Sequence, residues 1–128
     1  MTTSSVSPVT TELAGSETGI TLVIHAGAGS RGKHSTPERI AQVELDLQRA
    51  LDAGYQLLES GAPAHEAVVA AIHVMEDAPE FNAGRGAALT SDGIAQMDAC
   101  LMTGDGEVGA VTGVSTVKNP IDAARAAK

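Results

Sequence analysis

A glycine-rich turn at residues 27–32 is the first segment whose residue types could support chemistry. Its spacing, G-x-G-x-x-G, follows a short apolar run, which is typical of dinucleotide-binding turns. In those turns the helix begins among the glycines, so that its N-terminal amides face the pyrophosphate. Here Pro37 indicates a later helix start, and a second helix follows where the ribose-binding strand belongs. Nucleotide binding is therefore an alternative hypothesis, and the glycines are expected to permit a tight turn beside another segment.

The histidines do not follow a metal-binding pattern. His65-Glu66 begins like the helical motif of zinc proteases, but Val69 stands where the second histidine is required. His65 and His73 are separated by about two helical turns, which is too far for one ion without other ligands. We expect ordinary surface or partly buried histidines.

Nucleophilic catalysis by serine or cysteine has little support in the sequence. No G-x-S-x-G elbow is present. Cys100 lies in an apolar run that resembles a strand, and we expect it to be a small buried hydrophobe. Because it is the single cysteine, an internal disulfide is excluded and a reducing compartment is favoured.

The charge balance and the apolar pattern limit the partners. Eight basic and sixteen acidic residues give a net charge of -8, which would repel a nucleic acid on average. No apolar run approaches the ~20 residues of a membrane-spanning helix. Residues 1–18 lack the features of a signal peptide. The sequence therefore predicts a cytoplasmic protein without nucleic-acid or membrane partners.

The elements that must position any site begin after a polar segment. Residues 1–18 are rich in Ser, Thr and Glu and predict a flexible tail, so residues 19–128 form the folded, partial domain. The β-branched run at residues 20–25 predicts a buried strand. Thr36-Pro37 predicts the start of a helix that ends at Gly61.

A second helix and several strands are predicted to follow. Pro63 opens the second helix and Pro79 ends it. Short glycine-containing turns favour antiparallel pairing of the next three strands, at residues 87–90, 94–102 and 107–118. Asn119-Pro120 opens a last helix, which is too short to be stable unless it is packed. The fold class is α/β in the broad sense, of the α+β type.

Four motifs, in this order and with helices between the first two, resemble the α-subunit region of the plant-type L-asparaginase/isoaspartyl peptidase family. Each motif alone is a glycine-rich turn or a strand, but together they extend over residues 20–128. They are Ile24-His25-Ala26-Gly27-Ala28-Gly29, Phe81-Asn82-Ala83-Gly84-Arg85-Gly86, Met97-Asp98-Ala99, and Gly109-Ala110-Val111-Thr112-Gly113-Val114 running on to Lys118-Asn119-Pro120.

The resemblance implies an N-terminal-nucleophile hydrolase with a four-layer αββα sandwich. In that family the precursor cleaves itself before a threonine and yields an α chain and a β chain. The new N-terminal threonine attacks L-asparagine or β-aspartyl peptides, with its own amine as the base and an oxyanion hole from the β chain. No organic cofactor is implied, and the complete enzyme is expected to be a homo-oligomer.

The resemblance also implies roles for individual residues. Asn82 matches the asparagine that positions the nucleophile, and Gly27 and Gly29 match a turn near the active site. Ala26 stands where the family usually has a glycine. The loop after the second helix resembles a structural sodium-binding loop that uses backbone carbonyls, which suit a hard cation. The matching residues are Met75, Glu76, Ala78, Phe81, Ala83 and Arg85. For all of these positions, a turn that merely shapes the fold is the alternative interpretation.

The nucleophile itself is not recognised in this sequence. The family's threonine opens a T-V-G-A-V stretch, and the similar segment at residues 107–111 begins with Glu107 instead. A carboxylate there cannot perform hydroxyl attack, so we expect a chain that is truncated before the nucleophile and inactive without a β-subunit-like partner chain. A non-catalytic, degenerate interaction protein is a further alternative.

Overall fold

The computed structural model describes residues 19–27 and 35–128. The predicted tail at residues 1–18, and Gly29 with most of the glycine-rich turn, lie outside this part of the chain. The elements in chain order are α1 (Pro37–Glu59), α2 (Ala64–Asp77), a 3-10 turn (Gly84–Gly86), β1 (Met97–Met102), β2 (Val108–Val114) and α3 (Pro120–Ala126).

Helix α1 begins and ends where its sequence predicts. The Thr36 hydroxyl accepts a hydrogen bond from the Arg39 amide at 3.2 Å, and Pro37 occupies the first turn. At the other end Gly61 takes a φ of 83°, a left-handed conformation that glycine adopts without a steric penalty.

Helix α2 runs between the two predicted prolines and crosses α1 at close range. It begins after Pro63 and ends before Pro79, which cannot donate a helical hydrogen bond. The crossing uses Gly54 of α1, where a Cβ atom would lie 2.8 Å from the Ala67 carbonyl oxygen and 2.6 Å from Leu22 Cδ2. The absence of a side chain at Gly54 therefore permits the close approach of both α2 and the segment before α1.

The predicted buried strand at residues 20–25 is extended but forms no ladder within the described residues. Its side chains alternate: Ile20, Leu22 and Ile24 are half-buried, whereas Val23 is 81% exposed. The prediction of a buried strand was wrong in both respects, because no neighbouring strand among these residues supplies a hydrogen-bonding partner.

The later strands form one antiparallel pair. Met102 lies opposite Val108 and Cys100 opposite Ala110 in the β1–β2 ladder. The strand predicted at residues 87–90 is reduced to a single bridge between Leu89 and Ala95. The other two strands are shorter than predicted, because residues 94–96 and 115–118 lie outside the ladder.

One face of this sheet packs against α3. Leu101 is 2% exposed and joins Val69, Ile121 and Ala124 in a core cluster. Gly109 allows the close approach, since a Cβ atom there would overlap the Ala124 carbonyl oxygen. We call this the inner face of the sheet.

The opposite, outer face is exposed. It carries Cys100 and Met102 of β1 and Val108 and Ala110 of β2. The expectation of a buried cysteine was wrong, because side chains alternate along a strand and α3 covers only the face that carries Leu101.

The described residues therefore combine helices with a two-stranded antiparallel sheet, an α+β architecture. A second core cluster joins α1 to the loop after α2 through Val43, Ala78 and Phe81. None of the helices in residues 19–27 and 35–128 has the length and apolar character needed to cross a membrane.

Candidate functional site

Asn82 lies in the loop between α2 and the 3-10 turn, and its side chain is fixed at one end. Its Oδ1 accepts a hydrogen bond from the Ala88 amide at 2.7 Å. This bond spans the 3-10 turn, which is itself closed by a bond of 3.0 Å from the Gly86 amide to the Ala83 carbonyl. The Asn82 side-chain NH2 has no hydrogen-bond partner within the described residues. The residue therefore presents two oriented donors that could hold a hydroxyl or carbonyl oxygen.

Gly27, the described part of the other candidate turn, adopts a conformation that requires glycine. Its φ is 99°, and its amide donates to His25 Nδ1 at 3.1 Å. The preceding residue, Ala26, packs against the cluster that contains Phe81, which directly precedes Asn82. The structure thus brings the two candidate turns to the same apolar cluster, although they are far apart in sequence.

The carbonyl loop, residues 75–86, brings backbone oxygens against two glycines of the 3-10 turn. A Cβ atom on Gly84 would overlap the Glu76 carbonyl oxygen, and one on Gly86 would overlap that of Phe81. Two of the six predicted carbonyls therefore converge on positions where only glycine leaves room. The Met75 carbonyl has no helical donor four residues later, because Pro79 lacks an N–H.

Charge and chemistry at this loop also fit a hard cation. The carbonyls of Met75 and Glu76 lie in the last turn of α2, where the helix dipole places partial negative charge. Backbone oxygens are among the ligands of hard cations. Within the described residues no group of three or more His, Cys, Asp or Glu side chains could hold a metal ion. A cation here would therefore depend on carbonyl oxygens.

A surface ion pair connects the carbonyl loop to α1. Arg39 Nε donates to Glu80 Oε2 at 2.7 Å, between the first turn of α1 and the residue before Phe81. Both partners retain solvent contact, so the pair contributes little stability. It does add a second connection between α1 and the loop that carries Asn82.

Glu76 has a second role that the sequence did not predict. Its side chain is buried, and Oε1 accepts from the Ile121 amide at 3.0 Å while Oε2 accepts from Asn119 Nδ2 at 3.0 Å. These bonds satisfy the N-terminus of α3, whose own N-cap residue makes no side-chain cap. Burial raises the pKa of Glu76, and the hydrogen bonds from Asn119 and Ile121 oppose that shift.

One signal in the sequence could have identified this role. A carboxylate in the last turn of a helix is opposed by the helix dipole, so Glu76 at the end of α2 implies a compensating partner.

Asp98, from the Met97-Asp98-Ala99 motif, forms hydrogen bonds at a β-bulge in the sheet. Its Oδ1 accepts hydrogen bonds of 2.8 Å from both the Thr112 hydroxyl and the Gly113 amide. The β1–β2 register shifts at this point, and Gly113 has a φ of 64°. These hydrogen bonds lower the pKa of Asp98. The motif was recognised in the sequence, but this bulge was not, and β-bulges are frequent beside functional sites.

The structure provides no N-terminal nucleophile among the described residues. Thr112 donates its hydroxyl to Asp98, and its own nitrogen lies within β2 as a peptide amide. Glu107 pairs with Lys128 at 3.0 Å. The nucleotide-binding alternative also gains no support, because α1 begins only at Pro37, beyond the glycines.

The comparisons with known proteins agree with the motifs. A family model described as "Asparaginase" matches residues 18–127. The chain is 46% identical over 107 residues to a plant-type L-asparaginase of Pyrococcus abyssi, covering 83% of this chain and 34% of that protein. It is 40% identical over 107 residues to an isoaspartyl peptidase of Escherichia coli, with 81% and 33% covered. A Bos taurus isoaspartyl peptidase/L-asparaginase is 41% identical over 105 residues, also with 81% and 33% covered. The chain thus spans about a third of the length of these relatives.

Proposed function

The chain belongs to the asparaginase family, whose model matches residues 18–127, and from that premise we propose that it is the α-subunit portion of an amide hydrolase. The proposed substrates are L-asparagine and β-aspartyl peptides, which the names of the relatives indicate for those proteins. The observation that carries the proposal is Asn82, whose Oδ1 is held by the Ala88 amide and whose NH2 group has no partner among the described residues, in a chain of this family.

The proposed reaction uses a threonine hydroxyl beside its own free α-amine. The amine removes the hydroxyl proton and the oxygen attacks the amide carbon. The C–N bond then breaks as that proton passes to the leaving nitrogen, which departs as ammonia or as the amine of the peptide. Water hydrolyses the resulting ester and regenerates the threonine. We assign this threonine, and the oxyanion hole, to a β-subunit-like segment corresponding to the part of the relatives that this chain does not cover. The described residues then form a platform, by which we mean the part of the enzyme that positions this threonine.

Within that platform Asn82 is the proposed positioning group. Its NH2 donors would hold the nucleophile's oxygen, while the Ala88 bond prevents rotation of the amide. The turn at Gly27, and Gly29 beyond the described part, would lie beside it through the cluster that contains Ala26 and Phe81. This arrangement would hold the reacting oxygen in place before the substrate reacts, so that little further entropy would be lost in reaching the transition state.

The carbonyl loop is the proposed site of a structural sodium ion, and no organic cofactor is required. The ligands would be the backbone oxygens of Met75, Glu76, Ala78, Phe81, Ala83 and Arg85. Support comes from the convergence of the Glu76 and Phe81 carbonyls on two glycines. The ion would hold the loop that contains Asn82, and it would take no part in the chemical step.

The outer face of the sheet is the proposed contact for the β-subunit-like partner. Met102 is 67% and Val108 is 53% exposed, and the two side chains lie opposite each other in the ladder. Exposed apolar faces of this kind mark interaction surfaces. A second sheet stacked here would complete the four-layer sandwich. We also propose a cytoplasmic, homo-oligomeric complete enzyme.

A chimera tests this function. The chain is extended with the remaining part of the Escherichia coli relative, and ammonia release from L-asparagine and peptide cleavage are measured. We expect activity in the folded chimera, and a fall of about 100-fold in kcat for Asn82→Ala because the reacting groups lose their alignment. Gln56→Ala, an exposed change on α1, should leave kcat unchanged. A folded chimera whose turnover is indifferent to Asn82→Ala would exclude the proposed role.

A further inference from the structure

Glu76 connects three parts of the molecule that are separate in sequence. Its backbone belongs to the last turn of α2, and its carbonyl, Cα and Cβ atoms lie against Gly84 of the 3-10 turn. Its carboxylate reaches the start of α3, at Asn119 and Ile121. The side chain is only 4% exposed, so these contacts leave it little freedom to rearrange alone.

The stability of helix α3 depends on contacts with the rest of the protein, such as those of Glu76. It has seven residues, and its N-cap residue Asn119 provides no side-chain cap. A helix of this length is unstable in water unless other parts of the protein hold it. Its remaining polar connections to α2 are on the surface: His73 with Asp122 at 2.8 Å, Arg125 with Glu66, and a bond of 3.2 Å from Asn119 Nδ2 to Asp77 Oδ1. Surface pairs contribute little, so the buried Glu76 bonds are the principal polar attachment of α3 to α2.

The backbone of Glu76 also takes part in the carbonyl loop. The Glu76 carbonyl oxygen lies against Gly84 and the Phe81 carbonyl oxygen lies against Gly86, so oxygens with partial negative charge contact both glycines of the 3-10 turn. A cation bound to these oxygens would offset their partial charges and would restrain the loop. Any movement of the Glu76 backbone also moves its carboxylate, because the side chain is packed and cannot compensate.

We propose that Glu76 couples cation binding in the carbonyl loop to the docking of α3 on the sheet. This inference depends on the sodium site of the proposed function, but it does not require catalysis. A cation that holds the Glu76 carbonyl would also hold the carboxylate against Ile121 and Asn119. Since such coupling is reciprocal, loosening α3 would weaken cation binding. The effect would extend to the inner face of the sheet, because Ile121 packs against Leu101.

Hydrogen exchange of backbone amides measures this coupling directly. The 128-residue chain is compared in sodium chloride and in choline chloride at equal ionic strength. Sodium should slow exchange of the loop amides of Gly86 and Ala87 and, by at least about fivefold, that of the Ile121 amide in α3. The loop amides report the site, and the α3 amide reports the coupling.

Two glutamates on α2 provide a matched pair of variants. Glu76→Gln places an NH2 group opposite Asn119 Nδ2, so one α3 bond is lost while the backbone carbonyl remains. The sodium effect on Ile121 should then disappear while the effect on the loop persists. Glu66→Gln weakens the surface pair with Arg125 and should leave the sodium effect on Ile121 intact.

A third variant covers the case in which Glu76→Gln does not fold. Asn119→Ala removes the bond to Glu76 Oε2 from the α3 side, together with the exposed bond to Asp77 Oδ1, and leaves the residues of α2 unchanged. It should reduce the sodium protection of Ile121 and weaken the sodium affinity of the loop.

Each outcome has a definite meaning. Sodium protection of the loop without protection of Ile121 in the unmodified chain would overturn the coupling and leave the site in place. Equal loss of the effect in Glu66→Gln and Glu76→Gln would also overturn it, because any weakening of α3 would then suffice. Absence of sodium protection in the loop would overturn both the site and the coupling. The chimera's turnover would still test the proposed hydrolase separately.

Discussion

The two faces of the β1–β2 sheet are built from alternating residues of the same strands, yet one face is buried and the other is exposed. On the inner face Leu101 is 2% exposed and packs against Ile121 of α3. On the outer face its neighbour Met102 is 67% exposed, and Val108, directly opposite Met102, is 53% exposed. Residue type does not explain the difference at these positions, because Leu101, Met102 and Val108 are all apolar.

The contrast shows which part of the core the described residues complete. Helix α3, together with Val69 of α2, covers one side of the sheet, while the other side retains an apolar surface that water disfavours. Each strand is short, and a two-stranded sheet has no further partner for its outer edges in residues 19–27 and 35–128. We interpret the outer face as an interface. Substitutions on the buried inner face and on the exposed outer face should therefore have different effects.

The largest effect is expected from removing a side chain on the inner face. Leu101→Ala should lower the free energy of unfolding by about 2–5 kcal/mol, because it deletes buried methyl groups and leaves a cavity. Met102→Ala, its neighbour on the outer face, should change it by no more than about 0.5 kcal/mol. Urea unfolding of the two variants gives the comparison. Equal losses would mean that the outer face is already packed in solution.

A smaller effect is expected from adding one methyl group at the contact between the sheet and α3. Gly109→Ala should destabilise the chain by about 1–3 kcal/mol, because the new Cβ would overlap the Ala124 carbonyl. Gly104→Ala is the matched control, since nothing lies within 4 Å of its Cβ position. Thermal unfolding of both variants tests this packing. If Gly109→Ala melts with the unmodified chain, α3 does not lie on the inner face as described.

On the outer face the expected change is in association rather than in stability. Met102→Lys should weaken self-association of the isolated chain by about tenfold, because it places a charge in the exposed apolar surface. Gln48→Lys introduces the same charge on the exposed side of α1 and should have little effect. Sedimentation velocity over a concentration series measures both. Identical behaviour of the two variants would argue against an interface at Met102.

The smallest effect is a pH dependence at the bulge. Hydrogen bonds from Gly113 and Thr112 lower the pKa of Asp98 below its ordinary value of 3.8. The resulting stabilisation is fully present above pH 3.8, the value expected in the unfolded chain, and is lost as the pH falls through the folded pKa. Asp98→Asn should therefore flatten the acid side of the stability curve. An unchanged slope below pH 3.8 would show that these bonds do not persist in solution.

The helices could be predicted because their signals are local. Thr36-Pro37, Gly61 and the prolines on either side of α2 act within a turn of their own position, and the structure confirms the bounds they predict. Strand pairing depends on partners far away in sequence. The run at residues 20–25 has a strand's composition, but no described segment hydrogen-bonds to it as a neighbouring strand.

The candidate site shows the same division. The motif around Asn82 identified the residue, and only the structure gave its bond to Ala88. Cys100 was assigned to the core because an apolar strand does not reveal which of its faces is covered. The carboxylate of Glu76 was missed because its partners, Asn119 and Ile121, lie on another helix.

The most direct test of the account is the release of ammonia from L-asparagine by the purified chain, before and after addition of a nucleophile-bearing β-subunit-like chain. We expect no release by the folded chain alone, because its described residues lack a hydroxyl beside a free α-amine, and we expect measurable release from the mixture. Reproducible turnover by the chain alone, reduced by Asn82→Ala, would contradict the assignment of the nucleophile to another segment.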